Sequence, residues 1–359
     1  MKHRCALAAV HVCVLAYAGC GGAPAPSAAP GPNESGMVVL RAERATMDRG
    51  GAPPAGPAKA AVAGPAYARI KLHYDLGGRT FPLPLVHGAI GGEPTWMLVD
   101  TGANSHVIAG WLARKAKLDA KNFGDQGTDH AGHAITTSRV DRTQMTLDGW
   151  SALPETPTLV TEIPEAVARI GIGAFLSPQQ LAYDSALVLD LARAEMYTAD
   201  SAQAAADLEG KGANPFTAAA RACEDRDSPI RGLAFVVPAM VDSVRVSLLL
   251  DTGAHRSDLL AHTPAGRRLL PRSVPNREQV YAASGKISTR TVRGAKVSVG
   301  AYTTVTDVDI LPGESDSSCP RDGVLAMDIL RSCIVVFDRS TLTGRCDPAL
   351  RTPRSGAGK

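Results

Sequence analysis

Two stretches decide the fold of this chain: Trp96-Met97-Leu98-Val99-Asp100-Thr101-Gly102-Ala103 and Leu248-Leu249-Leu250-Asp251-Thr252-Gly253-Ala254. Each is a short apolar run that ends in the same four residues, Asp-Thr-Gly-Ala. The apolar runs are too short for helices and are typical of buried strands. Two carboxylates, each placed by a strand in a Thr-Gly turn, indicate a symmetric pair.

The residues before and after the two motifs also correspond. A predicted strand pair precedes each motif, over Phe81 to Ile90 with Thr95 to Val99 and over Leu233 to Val241 with Val244 to Leu250. Short helices are predicted after the motifs, over Ala109 to Lys117 and Leu259 to Leu269, and hairpins follow around Asp129 to Ile135 and Ala282 to Ile287.

Each half ends on an apolar strand closed by Asp, over 186–190 and over 334–338. Just before these strands lie two further apolar stretches that contain Gly, over 170–176 and 323–330. Five kinds of feature besides the motif therefore recur in the same order. We predict a tandem duplication of an all-β unit.

The N-terminus has the features of an export signal. Three basic or polar residues precede an apolar stretch from Ala6 to Ala18, which is too short to remain as a membrane span. The small residues before Cys20 resemble a bacterial lipobox, in which the Cys is lipidated, although Tyr17 stands where Leu is usual. Cleavage without lipidation is the alternative, with Cys20 an incidental residue.

The remaining chain divides into segments of distinct composition. A stretch rich in Pro, Gly and Ala follows the signal and predicts a disordered tether. The predicted organisation is a signal peptide at 1–20, a tether at 21–66, an N-terminal lobe at 67–200, a linker at 201–229 with a helix over Ser201 to Leu208, a C-terminal lobe at 230–347 and a disordered tail at 348–359.

Export implies an oxidising compartment, and four cysteines lie in the predicted folded part. They allow three pairings. A hairpin that pairs Phe337 with Leu342 places Cys333 opposite Cys346, which predicts that disulfide and leaves Cys223 to pair with Cys319.

Composition excludes some classes of partner. The chain has 359 residues, a net charge of +3 and 4% aromatic residues, with no basic block, so nothing indicates nucleic-acid binding. No C-x-x-C motif occurs, and the nine His are scattered. His130 and His133 beside Asp129 are the strongest metal candidate, and a polar loop is the preferred interpretation. We expect no cofactor.

A pair of carboxyl groups a few ångströms apart has a chemical consequence. Both cannot easily ionise, so the pair tends to hold one proton and titrates as a unit. One carboxylate can then take a proton from water while the other acid donates to a carbonyl, as amide hydrolysis requires. Gly102 and Gly253 allow close turns, and the Thr101 and Thr252 hydroxyls can hydrogen-bond across the interface.

These motifs resemble those of the aspartic proteases, and within them the retropepsin-like group, over roughly residues 67 to 347. The resemblance implies two tandem β-barrel lobes with an active-site cleft between them, and it implies that Asp100 and Asp251 are the catalytic pair. It also implies that Thr101 and Thr252 interlock, and that loops at Gly132 and Gly285 are flaps over the substrate. Ala103 and Ala254 complete the motifs that support the site. With both lobes in one chain, no dimer is needed, and we expect a monomer.

Three features depart from the family pattern. Ala326 stands where the family usually has Gly, and its methyl group is expected to shift the strand crossing behind Asp251. The first copy of this second signature is irregular, because 17 residues separate Gly173 from Asp190, whereas 12 separate Ala326 from Asp338. Neither flap carries Tyr at its tip.

The resulting functional prediction is an exported aspartic endopeptidase, anchored by lipid in the bacterial cell envelope, that acts on peptide or protein substrates. The alternative is an inactive lipoprotein of the same fold that binds peptide or supports an assembly. Asn104 and His255 are candidates for site residues or for shaping the cleft, and Arg256 and Lys286 are candidates for attracting acidic substrate side chains. They are also typical of ordinary loop and surface residues.

Overall fold

The computed structural model describes 13 stretches of the chain: residues 11–13, 69–128, 134–141, 143–148, 150–152, 158–181, 185–208, 216–219, 234–276, 280–282, 285–313, 320–338 and 341–347. Several predictions therefore lie outside the described residues. They concern the tether, the tail, the metal candidate around His130, and Cys20, Gly132, Cys223 and Cys319.

Within these residues the chain is almost entirely β-structure. The strands as far as the end of the first half are β1 (His11–Cys13), β2 (Arg69–Lys71), β3 (His73–Leu76), β4 (Arg79–Ile90), β5 (Glu93–Val99), β6 (Val107–Ala109), β7 (Lys121–Thr128), β8 (Ala134–Val140), β9 (Met145–Leu147), β10 (Trp150–Ala152), β11 (Thr158–Thr161), β12 (Ile172–Leu176), β13 (Ala186–Asp190) and β14 (Glu195–Ala199).

The second half is built in the same way. Its strands are β15 (Phe216–Ala219), β16 (Val236–Val241), β17 (Val244–Leu250), β18 (Asp258–Leu260), β19 (Val274–Pro275), β20 (Val280–Ala282), β21 (Gly285–Ile287), β22 (Arg290–Val299), β23 (Tyr302–Leu311), β24 (Gly323–Leu325), β25 (Cys333–Asp338) and β26 (Thr341–Cys346).

The helices are short and lie between strands. They are α1 (Gly110–Lys115), α2 (Glu165–Arg169), α3 (Ser201–Leu208), α4 (Pro264–Leu269) and α5 (Met327–Leu330), with 3₁₀ turns at Pro178–Gln180 and Leu270–Arg272. The predicted helix at 201–208 is therefore confirmed, and those after the motifs are shorter than predicted. No helix in the described ranges has the length and apolar composition needed to cross a membrane.

Each lobe is a sheet whose strands follow one another in a matched order. In the N-terminal lobe the order is β10-β9-β4-β5-β12-β6-β11-β8-β7, with β3 on β4. In the C-terminal lobe it is β16-β17-β24-β18-β23-β22-β19, and a further pairing of β16 with β22 closes the barrel. The predicted all-β duplication is confirmed.

Tight turns join the strands that lead to each motif. Gly91 and Gly92 both have positive φ, +57° and +85°, which is the conformation of a two-residue hairpin turn that favours glycine. In the second half Asp242 has φ of 52° at the corresponding turn. Both hairpins lead to strands, β5 and β17, whose last three residues are buried and directly precede the aspartates.

A six-stranded sheet joins the two lobes, in the order β15-β26-β25-β13-β14-β2. The closing strands of the two halves pair with each other at its centre, with Leu187 opposite Phe337 and Asp190 opposite Ile334. Part of segment 201–229, predicted as a linker, is the edge strand β15 of this sheet.

The predicted hairpin near the C-terminus has the expected register. Phe337 lies opposite Leu342 and Cys333 opposite Cys346, and the two cysteines form a disulfide. This confirms the pairing that strand register predicted. The disulfide links β25 to β26 within the sheet that joins the lobes.

Candidate active site

The two motifs meet, and reciprocal threonine hydrogen bonds hold them together. The Thr101 hydroxyl donates to the Leu250 carbonyl at 2.8 Å and accepts from the Thr252 N–H at 3.0 Å. The Thr252 hydroxyl donates to the Val99 carbonyl at 2.6 Å and accepts from the Thr101 N–H at 3.1 Å. The predicted interlock between the two turns is therefore present, and it is almost perfectly two-fold.

Asp100 and Asp251 lie side by side under this interlock, and both are fully buried. Oδ1 of Asp100 accepts from the Gly102 and Ala103 N–H groups at 2.9 and 3.1 Å. Oδ1 of Asp251 accepts from the Gly253 N–H at 2.8 Å. Each turn thus fixes its own carboxyl through one oxygen.

The pKa of Asp100 is raised well above its usual value. Burial is the largest cause, the negative charge of Asp251 is next, and a hydrogen bond with the Asp251 side chain raises it further. The N–H groups of Ala103 and Gly102 act in the opposite direction. Two neighbouring carboxyls in this environment retain a proton between them at pH values where an exposed carboxyl has lost it.

Gly253 lies directly against the Asp100 carboxyl. A Cβ atom added at Gly253 would lie 2.5 Å from Asp100 Cγ and 2.6 Å from its Oδ2. Only a residue without a side chain allows the second turn to approach the first carboxyl this closely.

We therefore expect Gly253→Ala to disrupt the pair, because its methyl group must displace the Asp100 carboxyl or part the turns. The expected result is loss of the function that needs both carboxyls, with a fall in thermal stability. Gly294→Ala is the control, since nothing lies within 4 Å of the position of its Cβ and only its φ of +59° opposes the change. Equal effects of the two substitutions in activity and melting assays would contradict the close approach.

The strand crossings behind the two aspartates correspond closely. The N–H of Asp100 donates to the Leu176 carbonyl at 2.8 Å, and that of Asp251 donates to the Leu325 carbonyl at 2.9 Å. Leu176 lies opposite Val99, and Leu325 opposite Leu250, in parallel pairs. Each catalytic candidate is thus held at the end of a buried strand.

This correspondence corrects the sequence alignment of the first signature. Ser177, rather than Gly173, occupies the position of Ala326, because each follows the strand end that binds an aspartate N–H. Measured from these residues, 13 positions lead to Asp190 and 12 to Asp338. The spacing is therefore regular, and the first signature differs in residue type instead.

The expected disturbance at Ala326 is not found. Its φ of −114° is an extended conformation that any residue adopts, so no glycine is required. Its methyl group packs in a small apolar cluster with Ala254, Leu249 and Val324. The hydrogen bond of the Asp251 N–H is 2.9 Å long, within 0.1 Å of its counterpart in the first half.

The carbonyl groups of the first motif are bound by two glutamines that the sequence analysis missed. Gln179 Nε2 donates to the carbonyls of Thr101 and Ala103 at 3.2 and 2.8 Å. Gln180 Nε2 donates to the Asn104 carbonyl at 2.5 Å. Both glutamines are buried, and their amides stabilise the turn that follows Asp100.

In the second half the backbone N–H groups of α5 bind the corresponding carbonyls. The N–H groups of Met327 and Asp328 donate to the carbonyls of Ala254 and His255, both at 3.0 Å. A side-chain amide in one lobe therefore replaces a helix N-terminus in the other. One signal in the sequence could have identified the two glutamines. The segment 177–180 follows Asp100 at the same distance, to within two residues, at which the segment 326–329 follows Asp251.

Asp328 supports the second turn from behind. Its Oδ1 accepts from the N–H and the hydroxyl of Ser257 at 3.0 and 2.8 Å, and its Oδ2 accepts from the Thr306 hydroxyl at 3.0 Å. Burial raises the pKa of Asp328 to about 6, against the opposing effect of these hydrogen bonds. Ser257 in turn accepts the Ala326 N–H, which secures the strand crossing.

The remaining cleft candidates have ordinary structural partners or are only partly described. Arg256 lies 3.5 Å from the buried carboxylate of Asp309, so its charge is paired within the lobe. Gly285 begins β21, which pairs with β20 in the predicted second hairpin. Lys286 is described only by its backbone. In the described part of the chain, no group of three or more His, Cys, Asp or Glu is arranged to bind a metal ion.

Comparison with known proteins places this geometry in a family. A search of curated proteins finds no match. Among solved structures, the aspartic proteinase from Irpex lacteus matches with 10% identity and a TM-score of 0.43, over 80% of this chain and all of that one. A family model described as aspartyl protease matches residues 86–173 and again 237–329, so that each match contains one Asp-Thr-Gly-Ala motif and the two together span half of the chain. The chain belongs to the aspartyl protease family.

Proposed function

We propose that this protein is an aspartic endopeptidase whose catalytic pair is Asp100 and Asp251. The observation that carries the proposal is the contact of two buried carboxyls across an interlock of threonines, with the pKa of Asp100 raised by burial and by Asp251. A general acid and a general base in one site are what peptide hydrolysis without a metal or a covalent intermediate requires.

The reaction follows from one proton held by the pair. The ionised carboxylate takes a proton from a water molecule, whose oxygen attacks the peptide carbonyl carbon. The protonated partner donates its proton to the carbonyl oxygen, which gives a neutral tetrahedral diol. Proton transfer to the peptide nitrogen and loss of a proton from a diol hydroxyl then break the C–N bond and restore the starting pair.

Substrate binding is proposed to use strand addition at the second hairpin. The edge of β20 pairs in parallel with β1, with His11 opposite Val280 and Cys13 opposite Ala282. Main-chain hydrogen bonds at such an edge bind an extended peptide regardless of its side chains. Because β1 lies within the predicted signal peptide, its removal would free this edge for a substrate.

The cellular setting is part of the proposal. The predicted signal peptide and Cys20 imply an exported chain, anchored by lipid in the cell envelope and separated from the membrane by the 21–66 tether. The disulfide between Cys333 and Cys346 fits an oxidising compartment. Both turns of the interlock come from one chain, which supports a monomer.

A second candidate function is peptide binding without turnover. The observation in its favour is that both carboxyls are fully buried, so that a substrate reaches them only after the structure opens. The two functions differ in one respect that can be measured. An enzyme releases new peptide ends, whereas a binding protein returns its ligand intact.

The test is incubation of the full-length protein with a peptide library between pH 3 and pH 8, followed by mass spectrometry. We expect internal cleavage that EDTA does not affect. Saturable binding of peptides without any cleavage would favour the binding protein. Loss of cleavage with EDTA, restored by zinc, would instead favour a metal site around His130 and His133.

A further inference from the structure

His106 lies beside the Asp100 turn, and the proposed reaction gives it no role. Its side chain is fully buried, and its Nδ1 accepts a hydrogen bond from the Ser177 N–H at 3.1 Å. Its carbonyl oxygen accepts the Leu159 N–H at 3.0 Å. A buried histidine with two such contacts fixes the loop to strands on either side.

Ser257 makes the same two contacts in the second half. Its hydroxyl accepts the Ala326 N–H at 2.9 Å, and its carbonyl oxygen accepts the Asp309 N–H at 3.0 Å. His106 and Ser257 are 151 residues apart, the same separation as Asp100 and Asp251. The two residues are therefore equivalent by position and by the bonds they make.

The bond to Ser177 determines the state of the imidazole. An N–H donor requires a lone pair on Nδ1, so the ring must be neutral, with its proton on Nε2. Burial agrees with this state, because it lowers the pKa of His106 to about 4. Protonation of Nδ1 would place two N–H groups against each other and break the bond.

The surroundings of His106 contain few charges. His106 bonds to Ser177 and Leu159, and the segments around these three residues, over 100–106, 158–161 and 176–180, carry one other titratable side chain, Asp100. Glu162, just beyond the second segment, is exposed and paired with Arg114 at the surface. Burial, rather than a charged neighbour, therefore keeps the ring neutral.

We propose that His106 is a positioning residue for the Asp100 half of the catalytic pair, which it serves by accepting the Ser177 N–H through a neutral imidazole. Ser177 directly follows Leu176, whose carbonyl holds the Asp100 N–H, so the imidazole fixes the strand end on which Asp100 depends. The proposal rests on the proposed peptidase function. It implies that the Asp100 half of the site loses this hydrogen bond at low pH, when the imidazole is protonated. The hydroxyl of Ser257 imposes no such loss on the Asp251 half.

The test compares two substitutions that differ in where the acceptor lies. In His106→Asn the side-chain oxygen takes the place of Nδ1, whereas in His106→Gln it takes the place of Nε2 and cannot reach Ser177. We expect His106→Asn to keep kcat near that of the parent at pH 7 and to retain activity to lower pH, because the step near pH 4 is removed. We expect His106→Gln to lower kcat by about 10- to 100-fold with little change in KM.

Thermal stability gives a second readout. The folded-state pKa of His106 lies below the unfolded value, so its contribution to stability is present above about pH 6.5 and is lost as the pH falls towards 4. Both substitutions should remove this part of the pH dependence of the melting temperature. Similar kcat values and pH profiles for the two variants would overturn the positioning role.

Imidazole ¹⁵N spectra of the parent protein separate this proposal from the proposed function. A neutral ring with its proton on Nε2 at pH 7, whose titration moves the Ser177 amide signal, supports the hydrogen bond even if no peptide is cleaved. A ring that carries its proton on Nδ1, or is charged at pH 7, overturns the proposal even if peptides are cleaved. The spectra also test the hydrogen bond from Ser177 to His106 if either variant fails to fold.

Discussion

Replacement of Asp100 by Asn should abolish peptide hydrolysis and at the same time stabilise the folded protein at neutral pH. The amide can neither take a proton from water nor donate one as an acid, so we expect a loss of about 10²- to 10⁴-fold in kcat/KM. Asp251→Asn should have an equal effect on hydrolysis, because the proposed reaction needs both members of the pair.

The gain in stability follows from the direction of the pKa shift. Asp100 binds its proton more tightly in the folded state than in the unfolded state, since burial and Asp251 raise its pKa. Its contribution is therefore most favourable below the unfolded pKa of about 4 and becomes unfavourable as the pH rises through the folded pKa. Asn removes this cost, so the variant should melt above the parent at pH 7 and show no such gain at pH 3.

Asp119→Asn is the matched control, because Asp119 is an exposed carboxylate outside the site. It should change neither kcat nor the melting temperature at pH 7. The measurements are peptide cleavage by mass spectrometry and melting by calorimetry at several pH values. Activity of Asp100→Asn within a few-fold of the parent would remove Asp100 from the mechanism, and a lower melting temperature at pH 7 would contradict the raised pKa.

Much of this architecture could be predicted because it depends on local patterns that occur twice. Short apolar runs and the strand pairs predicted before each motif located the hairpins that lead to Asp100 and Asp251. Register arithmetic within one hairpin placed Cys333 opposite Cys346. In both cases the interacting residues are close in sequence, so that little depends on how distant strands meet.

The first signature was misaligned for the opposite reason. Its register depends on β12 pairing with β5 and β6, which are far from it in sequence. Gly173 is the wrong reference residue for the alignment, because it lies where the register of β12 against β5 shifts and not at the end of β12. Only the hydrogen bond from Asp100 to Leu176 fixes the true correspondence.

The side chains that support the Asp100 turn could not be predicted from their residue types. Histidine and glutamine are common at protein surfaces, so a single sequence offers no reason to bury His106, Gln179 and Gln180. Their counterparts in the second half are a serine hydroxyl and backbone N–H groups, so a comparison of residue types between the halves does not reveal them. The duplication conserved hydrogen-bonding roles while the residues that perform them diverged.

The interlock of threonines should be the largest single source of stability that mutation can reveal at this site. Thr252→Val keeps the shape of the side chain but leaves the Val99 carbonyl and the Thr101 N–H without their partners. Each buried group left unsatisfied costs about 1 to 3 kcal/mol, so we expect a loss of about 2 to 6 kcal/mol in the free energy of unfolding.

Thr101→Val should cost a similar amount, since it removes the corresponding bonds to Leu250 and Thr252. Thr252→Ser and Thr101→Ser are the matched controls. They retain every hydrogen bond and lose one methyl group, which corresponds to about 1 kcal/mol. Urea titration gives the free energies, and the order Val well below Ser is the expected result.

Activity should fall with the valine substitutions even under conditions where the variants remain folded. Val99 and Leu250 directly precede the two aspartates, so the hydroxyls that bind their carbonyls also set the separation of the carboxyls. A displacement of about 1 Å at a reacting group can cost about 10²-fold in rate. If valine and serine variants matched in both stability and rate, the hydroxyls would have no role beyond filling space, and the spacing of Asp100 and Asp251 would have to be set by the six-stranded sheet that joins the lobes.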